Sequence, residues 1–126
     1  MNKQARDAWL ELLKTKEQTK QVLRQVLPDA TCRYCVLGVL CLAYEQAESH
    51  HQPLSGDEWS DGVLPIRVVD WAGLDESDPA ILIDEYVDED EDGVRDTGMR
   101  ELSYLNDNHD WDFVRFAEFI ALQDDL

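Results

Sequence analysis

Ten consecutive residues, Cys35–Tyr44 ("CVLGVLCLAY"), carry no charge and no amide side chain, in a chain whose net charge is −17. A helix that is apolar on every side has no face to give to water and must be surrounded by protein. Ten residues fall far short of the ~20 that cross a bilayer. The run therefore predicts a central buried helix, read from Tyr34 to Ala47, around which everything else is arranged. Gly38 sits in its middle, where glycine costs roughly 1 kcal/mol against alanine, so it is expected to permit close backbone packing.

The rest of the 126-residue chain has to supply the cover for that helix, and the full length suits one domain, residues 1–126, with one modest core. Apolar positions 5, 8, 9, 12 and 13 predict a helix over Ala5–Leu13. After a break near Lys14–Gln18, Val22, Leu23, Val26 and Leu27 predict a second helical stretch closed by Pro28-Asp29. "ESHHQPLSGDEWSDG" reads as a polar loop, and Pro65 opens a short helix, "PIRVVDWAGL". "AILIDEYV" is the one good strand, with an antiparallel partner expected around Met99–Leu105. "WDFVRFAEFIAL" closes the chain as an amphipathic helix capped by Asn108 or Asp110. The expected fold class is α+β, a small helix-rich single domain with a β-hairpin.

Charge is the second constraint. Residues 1–44 hold seven Lys/Arg against four Asp/Glu, a net of +3, whereas residues 45–126 hold four against twenty-four, a net of −20. Four Trp, four Tyr and three Phe argue for a packed core rather than disorder. Such a field disfavours nucleic acid and anionic membrane as direct partners and favours a basic protein. No signal-like or membrane-length segment is visible, and three closely spaced cysteines fit reduced thiols, so a cytoplasmic location is expected.

Three segments, "YCVLGVLC" at 34–41 with its Gln-containing lead-in "EQTKQVLR", "LPIRVVDWAGL", and "LSYLNDN…FVRFAEFI", resemble a group of small uncharacterised bacteriophage and prophage proteins. That group shows a Y-C-x-L-G-V-L-C helix and a closing L-N-D…F-x-x-I-A-x-x-I pattern. The resemblance implies a phage origin and brings no catalytic residues with it. The acidic run described next is not part of that pattern.

The densest charge is "VDEDEDGVRD", five acids in a row at Asp88, Glu89, Asp90, Glu91 and Asp92. An EF-hand loop needs carboxylates at positions 1, 3 and 5, glycine at 6, a ligand at 9 and a bidentate Glu at 12. Asp88, Asp90, Asp92, Gly93 and Asp96 fit, but Met99 stands at position 12 and a strand, not a helix, precedes the loop. Alternate residues of a strand lie ~6.6 Å apart, close to two ~3.4 Å phosphate steps of one DNA strand. Asp84, Glu85 and Asp88–Asp92 are therefore read as a row that imitates a nucleic-acid backbone, extended by Asp57, Glu58 and Asp61. Asp75, Glu76 and Asp78 can join if the fold brings the loops together. Trp59, alone in the polar stretch "SGDEWSDG", is read as an exposed contact within that partner-binding surface.

Cys32, Cys35 and Cys41 with a histidine (His50, His51 or His109) lack the second paired ligand set of a zinc site, and small buried hydrophobes account better for them. "LNDNHDWD" gathers His109 with Asp107, Asp110 and Asp112, but those residues are what a turn and a helix N-cap require. No metal, no cofactor and no catalysis are expected. The sequence thus points to an acidic phage-derived inhibitor, a DNA mimic that occupies the site of a basic host protein such as a nuclease, a restriction or CRISPR effector, or a repair enzyme. The alternatives are a calcium-binding module using the DxDxDG-like loop, or an accessory phage protein whose acidic face is only solvated.

Overall fold

The apolar run forms the helix expected of it. In the computed structural model, which describes residues 1–47, 53–87, 94–109, 111–123 and 126, α2 spans Val36–Ala47 and eight of its residues are buried. Helix α1 (Lys3–Leu13), capped by the Asn2 side chain, lays Ala5, Trp9 and Leu13 against it. Helix α4 (Ile66–Ala72) and helix α5 (Leu102–Asn108) also contact α2, and helix α6 (Phe113–Ala121) packs on α1. Pro65 is the N-cap of α4, and Gly73 closes it in the left-handed conformation at φ 73°, where the missing Cβ removes a steric cost.

Gly38 shows why α2 tolerates a glycine. A Cβ built there would lie 2.7 Å from the Leu23 carbonyl carbon and closer still to its oxygen. The chain leading into α2 thus crosses the helix at backbone contact.

That chain is the main departure from expectation. Residues 18–27 are not helical: β1 (Arg24–Val26) pairs antiparallel with β2 (Cys32–Tyr34) in the register Arg24↔Tyr34, Gln25↔Arg33, Val26↔Cys32. Asp29 shapes the turn between them, its carboxylate accepting from Thr31 N–H and the Thr31 hydroxyl. The helical spacing of Val22, Leu23, Val26 and Leu27 was misleading because only Leu23 enters the core; Val26 is exposed. One further short helix, α3 (Gly56–Trp59), sits within the expected polar loop.

The second hairpin is as expected in kind. β3 (Ala80–Val87) pairs antiparallel with β4 (Val94–Glu101), from Ala80↔Glu101 to Val87↔Val94. β4 ends earlier than the sequence suggested, because Leu102–Asn108 turns into α5, whose Leu102 and Leu105 are buried. Asp112 rather than Asn108 caps α6, accepting from Arg115 N–H at 2.9 Å; Asp110 lies outside the described residues. The described residues form a helix-rich α+β domain with two small antiparallel hairpins.

Candidate functional site

Two of the predicted acidic contact residues, Asp84 and Glu85, lie within β3, opposite Thr97 and Asp96 in the register. Asp88, Glu89, Asp90, Glu91 and Asp92 fall in the segment that joins the paired residues Val87 and Val94, outside the described residues. What the structure adds is the frame. The acidic segment is bracketed by two paired strands, whereas an EF-hand loop is bracketed by two helices, so the calcium alternative loses its scaffold.

The second group of acids, Asp57, Glu58 and Asp61, divides by role. Glu58 is the N3 residue of a capping box, accepting from Ser55 N–H at 2.9 Å while the Ser55 hydroxyl accepts from Glu58 N–H. The same carboxylate takes a 2.6 Å ion pair from Arg67 of α4. Arg67, then Ser55, hold the Glu58 carboxyl below its ordinary range. Glu58 therefore ties α3 to α4. Asp57 and Asp61 remain exposed, with Asp61 accepting from Gly62 N–H.

Trp59 is a correction. It is only 3% exposed, held edge-on to Tyr34 at 5.9 Å between ring centroids. The Arg24 guanidinium lies 4.4 Å from its ring. The capping box starts a turn that directs Trp59 inward onto the β1–β2 hairpin, so it fastens the hairpin and offers no surface to a partner.

The loop at 75–78 adds two exposed carboxylates, Asp75 and Glu76. Leu64 N–H donates to Ser77 O at 2.8 Å, which ties this loop to the segment following Asp61. Asp78 is committed to structure, accepting from Ser103 N–H and the Ser103 hydroxyl at the start of α5.

The structure places the described members of the candidate metal and catalytic groups as follows. Cys35 and Cys41 are buried and Cys32 partly so. Burial pushes the Cys35 thiol up to about 11 and raises that of Cys41 as well. Among the described residues no group of His, Cys, Asp and Glu is arranged to hold a metal ion; His50 and His51 lie outside them. His109 is buried with its ring 5.3 Å from that of Tyr104. Asp107 accepts from Gln21 N–H at 2.8 Å.

One residue of the L-N-D segment was not singled out by sequence reasoning. Asn106, fully buried, makes four hydrogen bonds. Its Oδ1 accepts from Gln18 Nε2 at 2.9 Å and from Val36 N–H at 3.1 Å. Its Nδ2 donates to Thr19 O at 2.8 Å and to the Asp107 carboxylate at 3.1 Å. Gln18 also donates to Trp111 O at 2.8 Å. At the head of α2 the Cys35 thiol accepts from Gly38 N–H, while Asn106 satisfies the first helical N–H from seventy residues away. The Gln-containing lead-in to α2 and the L-N-D segment thus meet in one polar joint.

Residues 1–124 match the family model described as Domain of unknown function (DUF8296), and the chain belongs to that family. No curated protein and no solved structure matches it.

Proposed function

We propose that this member of the DUF8296 family acts by binding, with an acidic surface that occupies the nucleic-acid site of a basic partner protein. The observation that carries the proposal is the segregation of charge: residues 45–126 hold a net of −20 and residues 1–44 a net of +3. Asp57, Asp61, Asp75 and Glu76 stand exposed, while the run Asp88–Asp92 joins two paired strands. A dense set of carboxylates offers a cleft lined by Lys and Arg the negative charge it meets on a phosphate backbone. The resemblance to phage-encoded proteins favours a host nuclease, restriction or CRISPR effector, or repair enzyme as that partner, and the host cytoplasm as the place of action. Direct binding to nucleic acid is opposed by the same field.

A pull-down from bacterial lysate at low salt, eluted with duplex DNA, tests the competition this requires. Affinity for the captured partner should fall about tenfold or more between roughly 50 and 300 mM salt, because the attraction acts between exposed charges within a Debye length. Replacing Asp88–Asp92 with Asn and Gln should weaken it similarly. Binding unchanged by salt, by neutralisation or by duplex DNA would leave the acidic face as a solvated surface.

A further inference from the structure

At the end of the β3–β4 hairpin nearest α5 the outward face carries an apolar pair where a half-solvated sheet is usually polar. Leu82 and Met99 are direct cross-strand partners and are 59% and 57% exposed, while Ile81 and Ile83 on the opposite face are buried. Leu122, 75% exposed, stands beside them at the end of α6. Together with Phe119 they line an open hollow of about 470 Å³.

One wall is hydrogen-bonded to the strand. Gln123 accepts the Leu82 N–H at 3.2 Å through its side-chain oxygen and donates through its nitrogen to Phe119 O at 3.1 Å. The end of α6 is thereby tied to the strand. The hollow shares Ala80 and Met99 with a second one of about 250 Å³, whose rim includes the exposed Asp75 and Glu76. The result is a groove with an aliphatic floor at one end and two carboxylates at the other. Apart from Met1, its lining comes from the part of the chain that carries the −20 charge.

We propose that this groove docks an amphipathic segment of a partner protein that carries aliphatic side chains on one face and Lys or Arg flanking them. The aliphatic floor selects the apolar anchors, and Asp75 and Glu76, within the wider negative field, select basic flanks over acidic ones. This goes beyond mimicry of a phosphate backbone, which has no apolar side chains to bury. Its anchoring term resists salt, whereas contact through Asp88–Asp92 is screened by it.

The test uses three labelled synthetic peptides and the intact chain. The first has Leu at i, i+3, i+4 and i+7 with Lys elsewhere; the second has Glu for every Lys; the third has Ser for every Leu. Fluorescence anisotropy gives affinity, and NMR shift mapping gives location. The Lys/Leu peptide should shift the methyl signals of Leu82, Met99 and Leu122. Leu82→Ser with Met99→Ser should weaken it about tenfold or more, the loss expected for central apolar anchors. Both positions are exposed, so unchanged spectra of the core will show that the variant is folded. Asp75→Asn with Glu76→Gln should reduce affinity and its salt dependence.

Equal binding of the Glu/Leu or Lys/Ser peptide at the groove would overturn the proposal. So would shifts confined to other surfaces, or an affinity untouched by the two serines. Concentration-dependent self-association that the serine variant abolishes would also overturn it, by making the groove a contact between copies of this chain. Neutralising Asp88–Asp92 leaves the groove intact, so failure of the mimicry reading and failure of this one are read separately.

Discussion

Replacing Asn106 by alanine removes the acceptor of the first α2 N–H, from Val36, and the donor to Thr19 O. Val36 is fully buried, so its N–H is left without a partner and without water, at a cost of about 1–3 kcal/mol. Thr19 O is only partly shielded and loses about 1 kcal/mol, and the lost packing adds a further ~1 kcal/mol. Gln18 keeps its bond to Trp111 O and adds nothing further, so the total is about 3–5 kcal/mol. For a chain of 126 residues this corresponds to a fall of roughly 10–20 °C in Tm.

Asn106→Asp separates the polar joint from simple packing. It keeps the volume and the acceptor to Val36 but sets a second carboxylate oxygen where the amide now donates to Asp107 at 3.1 Å. Two acceptors then face each other in a buried site, and the loss at pH 7 should equal or exceed that of alanine. Burial and the neighbouring Asp107 raise the folded-state pKa of the new acid above its unfolded value. Stability should therefore recover as pH falls through that raised value, since the protonated acid can donate again. Urea unfolding of the three proteins at pH 7 and pH 5, followed by Trp fluorescence, measures this. Asn106→Ala within 1 kcal/mol of the parent, or Asn106→Asp equal to it at pH 7, would refute the assignment of Asn106 as the residue that joins the lead-in, α2 and α5.

Gly38→Ala places a Cβ 2.7 Å from the Leu23 carbonyl carbon, where backbone has to move, and should cost about 3 kcal/mol or more by urea unfolding although alanine is the better helix former. Ala30 holds φ 69° in the exposed β1–β2 turn, so Ala30→Gly should raise stability by up to about 1 kcal/mol, read as an increase in Tm. The Cys35 thiol is raised from its ordinary value of 9.0 to about 11, so the unfolded chain releases its proton first. Stability should fall as pH rises from 9 towards 11, by on the order of 2 kcal/mol, with Cys41 acting in the same direction; Cys35→Ala should flatten that slope. In the native protein a thiol reagent at pH 8 should label Cys32, partly exposed, and leave the buried Cys35 and Cys41 until urea is added.

The elements legible in the sequence carry their signal within one window. "CVLGVLCLAY" has no polar residue to offer solvent, so α2 had to be buried whatever surrounded it. "AILIDEYV" and "FVRFAEFIA" show their strand and helix character through β-formers and a 3.6-residue period. The α+β class, the hairpin after β3 and the close approach at Gly38 follow from such local patterns. The balance of −20 over residues 45–126 is equally a property of the sequence.

The tertiary structure decided what depends on residues far apart. Leu23 through Leu27 have a helical spacing, yet the Asp29–Thr31 turn and the approach of Leu23 O to α2 make a hairpin of that segment. Trp59 stands among polar neighbours, but Tyr34 and Arg24 enclose it. Glu58 belongs to the acidic composition and is taken by Arg67, while Asp75 and Glu76 reach the rim of a groove whose floor comes from two strands and a helix. Charge and periodicity are sums over neighbouring residues and are visible in the chain itself. Burial, ion pairing and the shape of a groove are relations between distant segments, and only the folded backbone brings those segments within the few ångströms at which they act.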